Sequence, residues 1–402
     1  MPRPGRIVVA GAGLAGLRAV EHLRRRGFDG RLTLIGREAH PPYDRPPLSK
    51  DMLWSDAAGP PRSLARDDLV RDLGVDFRPG TEVTGLDAAR RRLTVHTGET
   101  FGYDSLIIAT GALARDLAEG RRYPNVRTLR SYDDCMRLRA ALRKHPRLVV
   151  AGAGFIGCEV ATAAARAGLD VTVIEPLSVP LGRSLGALPG SRVAGLLEAS
   201  GARLITGTGV AAVSGNARAE AVRLSDGRVL EADEVLVGLG ATPDVDWLRD
   251  SGVGVGRGAI CDEYGRSSAP GVWAAGDAAE YRHRGYGGHI IVEHWFNAHE
   301  QAAAVAANVL AGDGELTEYR PLPYFWSEQA GVRIQVLGRP EPTEEPQAVH
   351  VESPRPAVVY LYGEPERLTA AVSFGAPARL MKLRPLILRG ASLAEAAALV
   401  RA

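Results

Sequence analysis

Cysteine is scarce in this 402-residue chain, and what little there is stands far apart: Cys135, Cys158 and Cys261. No C-x-x-C pair and no zinc-type ligand spacing occurs, which argues against a local redox dithiol and a metal site. Three isolated thiols read as reduced residues in or near a core. Long apolar runs are also missing; nothing approaches the ~20 residues needed to cross a bilayer. Arg3 and Arg6 before "IVVAGAGLAGL" mimic a signal peptide, but the glycines that interrupt the run make a better motif. The expected location is cytoplasmic, with no membrane partner. An excess of one charge is lacking too. Lys plus Arg number 49 against 47 Asp plus Glu, a net charge of +2, which argues against bulk nucleic-acid binding and leaves only local patches to matter. Hydrophobic content of 45% and length indicate a globular chain of two to three domains.

What is abundant is glycine, and it is organised. "RIVVAGAGLAGLRAVEHLRRRGFDGRLTLIGRE" (residues 6–38) and "RLVVAGAGFIGCEVATAAARAGLDVTVIE" (residues 147–175) repeat one another. Each begins with a β-branched apolar run suited to a buried parallel strand. Each continues through G-x-G-x-x-G into a helical pattern, stops at a glycine (Gly27, Gly168) and ends in a second apolar strand. The glycines have separate tasks. Gly11 and Gly152 permit the tight turn, and Gly13 and Gly154 let backbone approach a pyrophosphate. Gly16 and Gly157 let the helix pack on the strand with its N-terminus aimed at the phosphates. Ala15, Phe155 and Ile156 fill out the two loops. A lone motif of this kind is weak; two copies, each between strand and helix, imply two dinucleotides. FAD and a nicotinamide cofactor are the natural pair, because hydride passes between them.

The second copy ends at Glu175, 23 residues after Gly152. A carboxylate there accepts both hydroxyls of an adenosine ribose and repels a 2′-phosphate, so NADH is expected over NADPH. Arg183 reads as a surface or pyrophosphate-side residue rather than a phosphate clamp. In the first copy Glu38 is the candidate ribose ligand, with a solvated carboxylate as the alternative. Further on, "GVWAAGDAAE" (271–280) offers an apolar strand running into Gly276 and Asp277 before an expected helix; Asp277 suits the ribityl chain of FAD, or serves only as a helix N-cap. "IIATGA" (107–112, with Ala109, Thr110 and Gly111) and "VLVGLGATPD" (235–244, with Gly240) resemble the two crossings between the dinucleotide domains.

Taken with "PYDRPPLSK", "EHWFNAHEQ" and "PYFWSEQAGVRIQVLG", these stretches resemble the FAD-dependent, NADH-using ferredoxin reductases that serve bacterial oxygenases. The resemblance runs essentially the full length. It implies an α/β fold like that of glutathione reductase: two Rossmann-like domains and a C-terminal α+β domain. The FAD domain would be discontinuous (1–112 and 236–318), the NAD domain 113–235 and the C-terminal domain 319–402. It implies that Lys50 lies beside the flavin ring and pairs with Glu159. A cation there stabilises the negative charge that reduction adds, and a carboxylate is favoured in the first turn of a helix. Arg45, Val83, Arg130, Glu293, His294 and Trp295 join the FAD side. Trp326 is assigned to the flavin or partner face, against a purely structural core role. Arg37 departs from the pattern, standing where many relatives carry an aspartate.

The implied activity is hydride transfer from NADH to flavin, then single electrons to a small, acidic iron–sulfur ferredoxin. That ferredoxin would feed a monooxygenase or a ring-hydroxylating dioxygenase. A monomer is expected. Basic docking candidates are "RLMKLRPLILR" (379–389) and "RRR" (90–92), either of which could equally be a solvated face. Disulfide and peroxide reductases need a cysteine close to the flavin, and none precedes Cys135. A rubredoxin reductase and an apoptosis-inducing-factor-like redox sensor are the readings left open.

Overall fold

The computed structural model describes residues 4–54, 59–61, 63–65, 68–118, 120–312, 314–352 and 356–401. The chain divides into two compact units. One comprises 1–44, 59–113 and 242–321; the other comprises 45–58, 114–241 and 322–402.

The first unit is organised on a five-stranded, all-parallel sheet. Its strands stand in the order Val272–Ala274, Ser105–Ile108, Arg6–Ala10, Arg31–Ile35, Val75–Arg78. The strands Arg6–Ala10 and Arg31–Ile35 are buried at four of five positions, as expected of strands covered on both faces. The helix Leu14–Arg25 packs on one side with Trp295–Ala311, sharing a core of Ile7, Leu17, Leu23, Ala302 and Val305. An antiparallel meander, Val83–Asp87, Arg92–Val95 and Thr100–Gly102, packs on the other side.

The second unit repeats the plan. Its parallel sheet runs Val126–Thr128, Glu234–Val237, Leu148–Ala151, Val171–Glu175, Arg203–Thr206. The glycine-loop strand is central in both sheets, and the crossing strands lie on the same side of it. Gly27 and Gly168, with φ of +76° and +85°, close the two equivalent helices in the left-handed conformation that glycine adopts without cost. The internal repeat is therefore a repeat of three-dimensional structure.

The same unit holds a five-stranded antiparallel sheet, in the order Tyr324–Gln329, Val332–Gly338, Arg367–Phe374, Ala357–Glu364, Gln347–Val351. Its first pair is a hairpin. Ala330 and Gly331, at φ +50° and +75°, form the two-residue loop whose twist matches the flanking strands. Three short helices, Pro377–Lys382, Arg384–Arg389 and Leu393–Arg401, cover one face through Leu380, Leu383, Leu386 and Val400.

One local expectation fails. Gly276–Ala278 form a single 3-10 turn, and a strand, Ala279–His283, follows it rather than a helix. Ala279, Tyr281 and His283 are buried while Glu280 and Arg282 are not. That period of two outweighs the helical preference of "DAAE". No helix among the described residues is long and apolar enough to cross a membrane.

Candidate functional site

Both glycine loops open their helices without a side-chain cap. The N-caps are Gly13 and Gly154, and neither helix has an acidic residue in its first turn. Neither positive helix end is offset by an acidic side chain of its own first turn. Gly11 and Gly152 take φ of +114° and +103°, and a Cβ on either would fall 2.1 Å from Ala109 O or 2.6 Å from Gly238 O. A Cβ on Gly16 or Gly157 would strike the carbonyl of Gly11 or Gly152 at 1.8 or 2.2 Å. Those four glycines are required by the fold itself. Gly13 and Gly154 are different. A Cβ on Gly13 would meet nothing within 4 Å, and one on Gly154 only Gly238 O at 3.6 Å. No packing reason calls for glycine there, and the space at both positions is open to an external group. A dinucleotide pyrophosphate fits both cradles.

In the first unit the remaining flavin candidates converge at the C-terminal ends of the parallel strands. Gly276, at φ +74°, sits so close to Ala15 that a Cβ would lie 2.9 Å from that methyl. Ala109 N donates to Ala10 O at 2.7 Å, bringing "ATG" beside the glycine loop. Thr110 Oγ1 donates to Asp244 O at 2.7 Å, and Asp244 N to Gly111 O at 2.9 Å. Asp277 lies on the Gly276 turn, and Gln301 Oε1 accepts the N–H of Gly276 at 2.9 Å. Gln301 is therefore tied to the Gly276 turn. Its Nε2 is buried without a partner among the described residues, an orphan donor that suits a cofactor oxygen.

Glu38 accepts a short hydrogen bond from Tyr43 Oη. Its neighbour Arg37 turns away to bridge Asp244 at 2.8 Å and Glu82 at 3.0 Å. Trp295 opens the long helix behind the N-cap His294 and donates from Nε1 to Asp44 at 2.8 Å; its ring stacks on His299 at 5.7 Å. Glu293, just ahead, is exposed, and Val83 is buried at the start of the meander.

The second unit holds a buried polar cluster centred on Glu159. This carboxylate is 4% exposed. Its Oε2 accepts from Lys50 Nζ at 2.7 Å and Ser49 Oγ at 2.5 Å. Its Oε1 accepts from Ser327 Oγ at 2.6 Å and the N–H of Glu328 at 3.4 Å. Lys50 also donates to Pro46 O at 3.2 Å; the turn Pro46–Ser49, with prolines at its first two positions, aims the side chain. Glu159 is the fifth residue of the helix Phe155–Arg166, just past the first turn. Direct donors rather than the helix end hold its charge. Phe155 packs edge-on against Phe325 at 5.0 Å, so Phe325 and Ser327 share the hairpin face that meets this helix. By that alternation Trp326 faces the other way, where the Arg333 guanidinium covers its ring at 5.9 Å.

The other candidates lie within the same unit. Arg45 Nη1 donates to Arg130 O at 2.6 Å. Glu175 is buried, its Oε2 taking Ala153 N at 2.8 Å and its Oε1 taking Leu177 N at 3.0 Å. The glycine loop and the carboxylate at the end of the second strand are thereby locked together. Gly240 adopts φ +91° after the strand Glu234–Val237, and Arg183 is exposed on the short helix Gly182–Leu185.

All three cysteines are free and buried. Burial pushes the Cys135 thiol up to about 11, and pushes Cys158 and Cys261 higher still, with nearby carboxylates adding to the effect in both. Thiols held in that state are poor nucleophiles. No group of three or more metal-ligating side chains occurs among the described residues.

Comparison with known proteins agrees with this geometry. Residues 5–302 match the family described as pyridine nucleotide-disulphide oxidoreductase, and residues 324–400 match the reductase C-terminal family. The ferredoxin reductase component of chlorobenzene dioxygenase from Cupriavidus sp. (strain PS12) is 43% identical, over 83% of this chain and 80% of that one. Among solved structures, a ferredoxin reductase from Rhodopseudomonas palustris superposes with a TM-score of 0.91 at 30% identity, covering 98% of this chain and 97% of its own. The reductase in a covalent putidaredoxin reductase–putidaredoxin complex gives 0.87 at 29% identity, covering 96% and 93%. The chain belongs to the pyridine nucleotide-disulphide oxidoreductases that carry a reductase C-terminal domain, enzymes that use FAD and NAD(H).

Proposed function

We propose that the protein is an NADH-dependent ferredoxin reductase supplying a bacterial oxygenase. The observation that carries this reading is the Lys50–Glu159 pair, held at 2.7 Å in a chain whose three cysteines are all buried thiols. When bound, FAD accepts a hydride from NADH and releases the electrons one at a time. With no accessible dithiol to store a pair of electrons, single-electron delivery to an iron–sulfur partner suits this chain better than disulfide or peroxide reduction.

The protein's own contribution is positioning and electrostatics. Gly11, Gly13 and Gly16 cradle the FAD pyrophosphate. Ala15, Ala109, Thr110, Gly111, Gly276 and Asp277 line the same strand ends, with Glu38 at the ribose and Arg45, Val83, Arg130, Glu293, His294 and Trp295 completing the flavin side. Gly152, Gly154, Phe155, Ile156, Gly157, Arg183 and Gly240 receive NADH. Glu175, already anchored by Ala153 and Leu177, disfavours a 2′-phosphate. Lys50, with Glu159, places a positive charge beside the flavin, and Trp326 stands on the partner side. In this reading residues 1–112 and 236–318 hold FAD, 113–235 hold NADH, and 319–402 shape the docking face. The partner is a small acidic ferredoxin, and the enzyme works as a cytoplasmic monomer.

Stopped-flow mixing tests the proposal. Rapid bleaching of bound FAD by NADH, slow bleaching by NADPH, and reoxidation by a ferredoxin are expected. Reoxidation by rubredoxin, with ferredoxins inert, would replace the partner assignment; dithiol-dependent turnover would overturn the class.

A further inference from the structure

The Glu159 carboxylate is shared between two segments far apart in sequence. Oε2 serves the Pro46–Lys50 turn, and Oε1 serves the first strand of the C-terminal hairpin. Ser327 is 1% exposed and Ser49 is 2% exposed, so neither hydroxyl can exchange its partner for bulk water. Each hydroxyl has one proton, and both are given to Glu159. Charge-assisted bonds of this kind are short and directional.

Lys50 is the beneficiary. Of its three N–H groups, one goes to Glu159 and one to Pro46 O; the third has no partner among the described residues. Its side chain is 23% exposed, so the ammonium is oriented by the protein yet keeps a free donor. That orientation depends on where Oε2 points. Were Oε1 released, the carboxylate would keep only the 3.4 Å bond from Glu328 N on that side. It could then rotate about its terminal bond, drawing Lys50 into a two-oxygen pairing and away from Pro46.

We propose that Ser327 is a positioning residue for Lys50: by fixing Oε1 of Glu159, it keeps Oε2 turned toward Lys50 and Ser49. The C-terminal hairpin thus contributes to the redox site, and not to the docking face alone. This inference rests on the reading of Lys50 as the cation beside the flavin. Phe325, two residues before Ser327 on the same strand face, presses on Phe155 and keeps the hairpin seated on the glycine-loop helix.

The test uses FAD-loaded enzyme and four variants: Ser327→Ala, Ser327→Thr, Lys50→Met and the Ser327→Ala/Lys50→Met double. FAD content and thermal midpoint report folding. The limiting rate of flavin bleaching by NADH and the midpoint potential of the bound flavin report the site. Ser327→Ala should slow bleaching about tenfold, the loss expected for one hydrogen bond to a charged group, with KM for NADH little changed. It should shift the flavin potential in the direction that Lys50→Met does, but less. Ser327→Thr should restore both readouts, and the double variant should match Lys50→Met alone. A wild-type rate and potential in Ser327→Ala, or additive effects in the double, would overturn the positioning role while leaving Lys50 in place. A wild-type rate and potential in Lys50→Met would remove the underlying reading, and the inference with it.

Discussion

Gln301 Oε1 accepts the backbone N–H of Gly276 at 2.9 Å, a bond between two fully buried groups 25 residues apart. It ties the long helix Trp295–Ala311 to the turn that carries Asp277. Asn297 Nδ2 also approaches the same oxygen, at 3.4 Å. Gln301→Leu keeps the volume but leaves the Gly276 N–H unpaired, a loss of about 1–3 kcal/mol. The turn should loosen where it meets Ala15. Titration of apo-protein with FAD should give a Kd raised about tenfold; an unchanged Kd would show that the turn holds its geometry without this bond.

Arg37 stands where the resemblance expects an aspartate, and its partner Asp244 gives it a structural task. Burial raises the Asp244 carboxyl above its ordinary value, while the Arg37 guanidinium is the strongest influence pulling it back. A raised folded-state value means that the ionised carboxylate is a net cost, and the stability of the protonated form fades as pH rises. Arg37→Leu removes the opposing charge and raises the value further. Below the wild type's own raised value both proteins keep Asp244 protonated, so the stability deficit should open only above that value and grow toward neutrality. About 1–2 kcal/mol is expected at pH 7, since Arg37 is 38% exposed and partly screened. Thermal midpoints across that range decide the matter, and a pH-independent deficit would be inconsistent with it.

Of the two basic stretches, the C-terminal one is better placed to meet an acidic partner. Arg90 is committed to Asp87 at 2.8 Å. From Arg367 to Leu393, in contrast, there is no acidic residue, although Arg389 pairs with Glu395 just beyond. The two short helices there expose Met381 at 42% and Leu388 at 64% beside Arg379, Lys382 and Arg384. Arg379→Glu/Lys382→Glu should slow ferredoxin reduction roughly tenfold at low salt, the gap closing as ionic strength rises. Reduction of ferricyanide by NADH should be unchanged. Equal losses with both acceptors would place these charges outside docking.

Much of this was legible because the signals are local. Gly11, Gly152, Gly27 and Gly168 encode backbone angles that few other residues accept, and the strands around them are short apolar runs with no competing period. The Ala330–Gly331 loop is likewise fixed by its own residues. The Glu159 cluster was only half legible. Its members stand at 49, 50, 159, 327 and 328, and no local rule links them. Alternation places Trp326 and Ser327 on opposite strand faces, but says nothing about which face meets the helix. The strand after Gly276 was visible in the period of Ala279, Tyr281 and His283, yet the Ala-rich "DAA" concealed it. Gln301 escaped because a glutamine inside a helix carries no signal of a bond to another segment.

The glycine loops give a final test that separates fold from ligand. Gly154 has φ −76°, which any residue accepts, and open space at its Cβ apart from Gly238 O at 3.6 Å. Gly154→Ala should therefore leave thermal stability and FAD content at wild-type values. In the proposed site NADH passes its phosphates close to this backbone, so the added methyl should raise KM for NADH about tenfold or more. Gly157→Ala is the control: its methyl would sit 2.2 Å from Gly152 O, and the strand–helix packing must open to admit it. Overpacking of that kind costs about 1–3 kcal/mol or more, so this variant should lose stability as well as NADH affinity. If Gly154→Ala instead lowered the thermal midpoint and left KM unchanged, the glycine would belong to the fold, and the second loop would lose its best evidence for a dinucleotide.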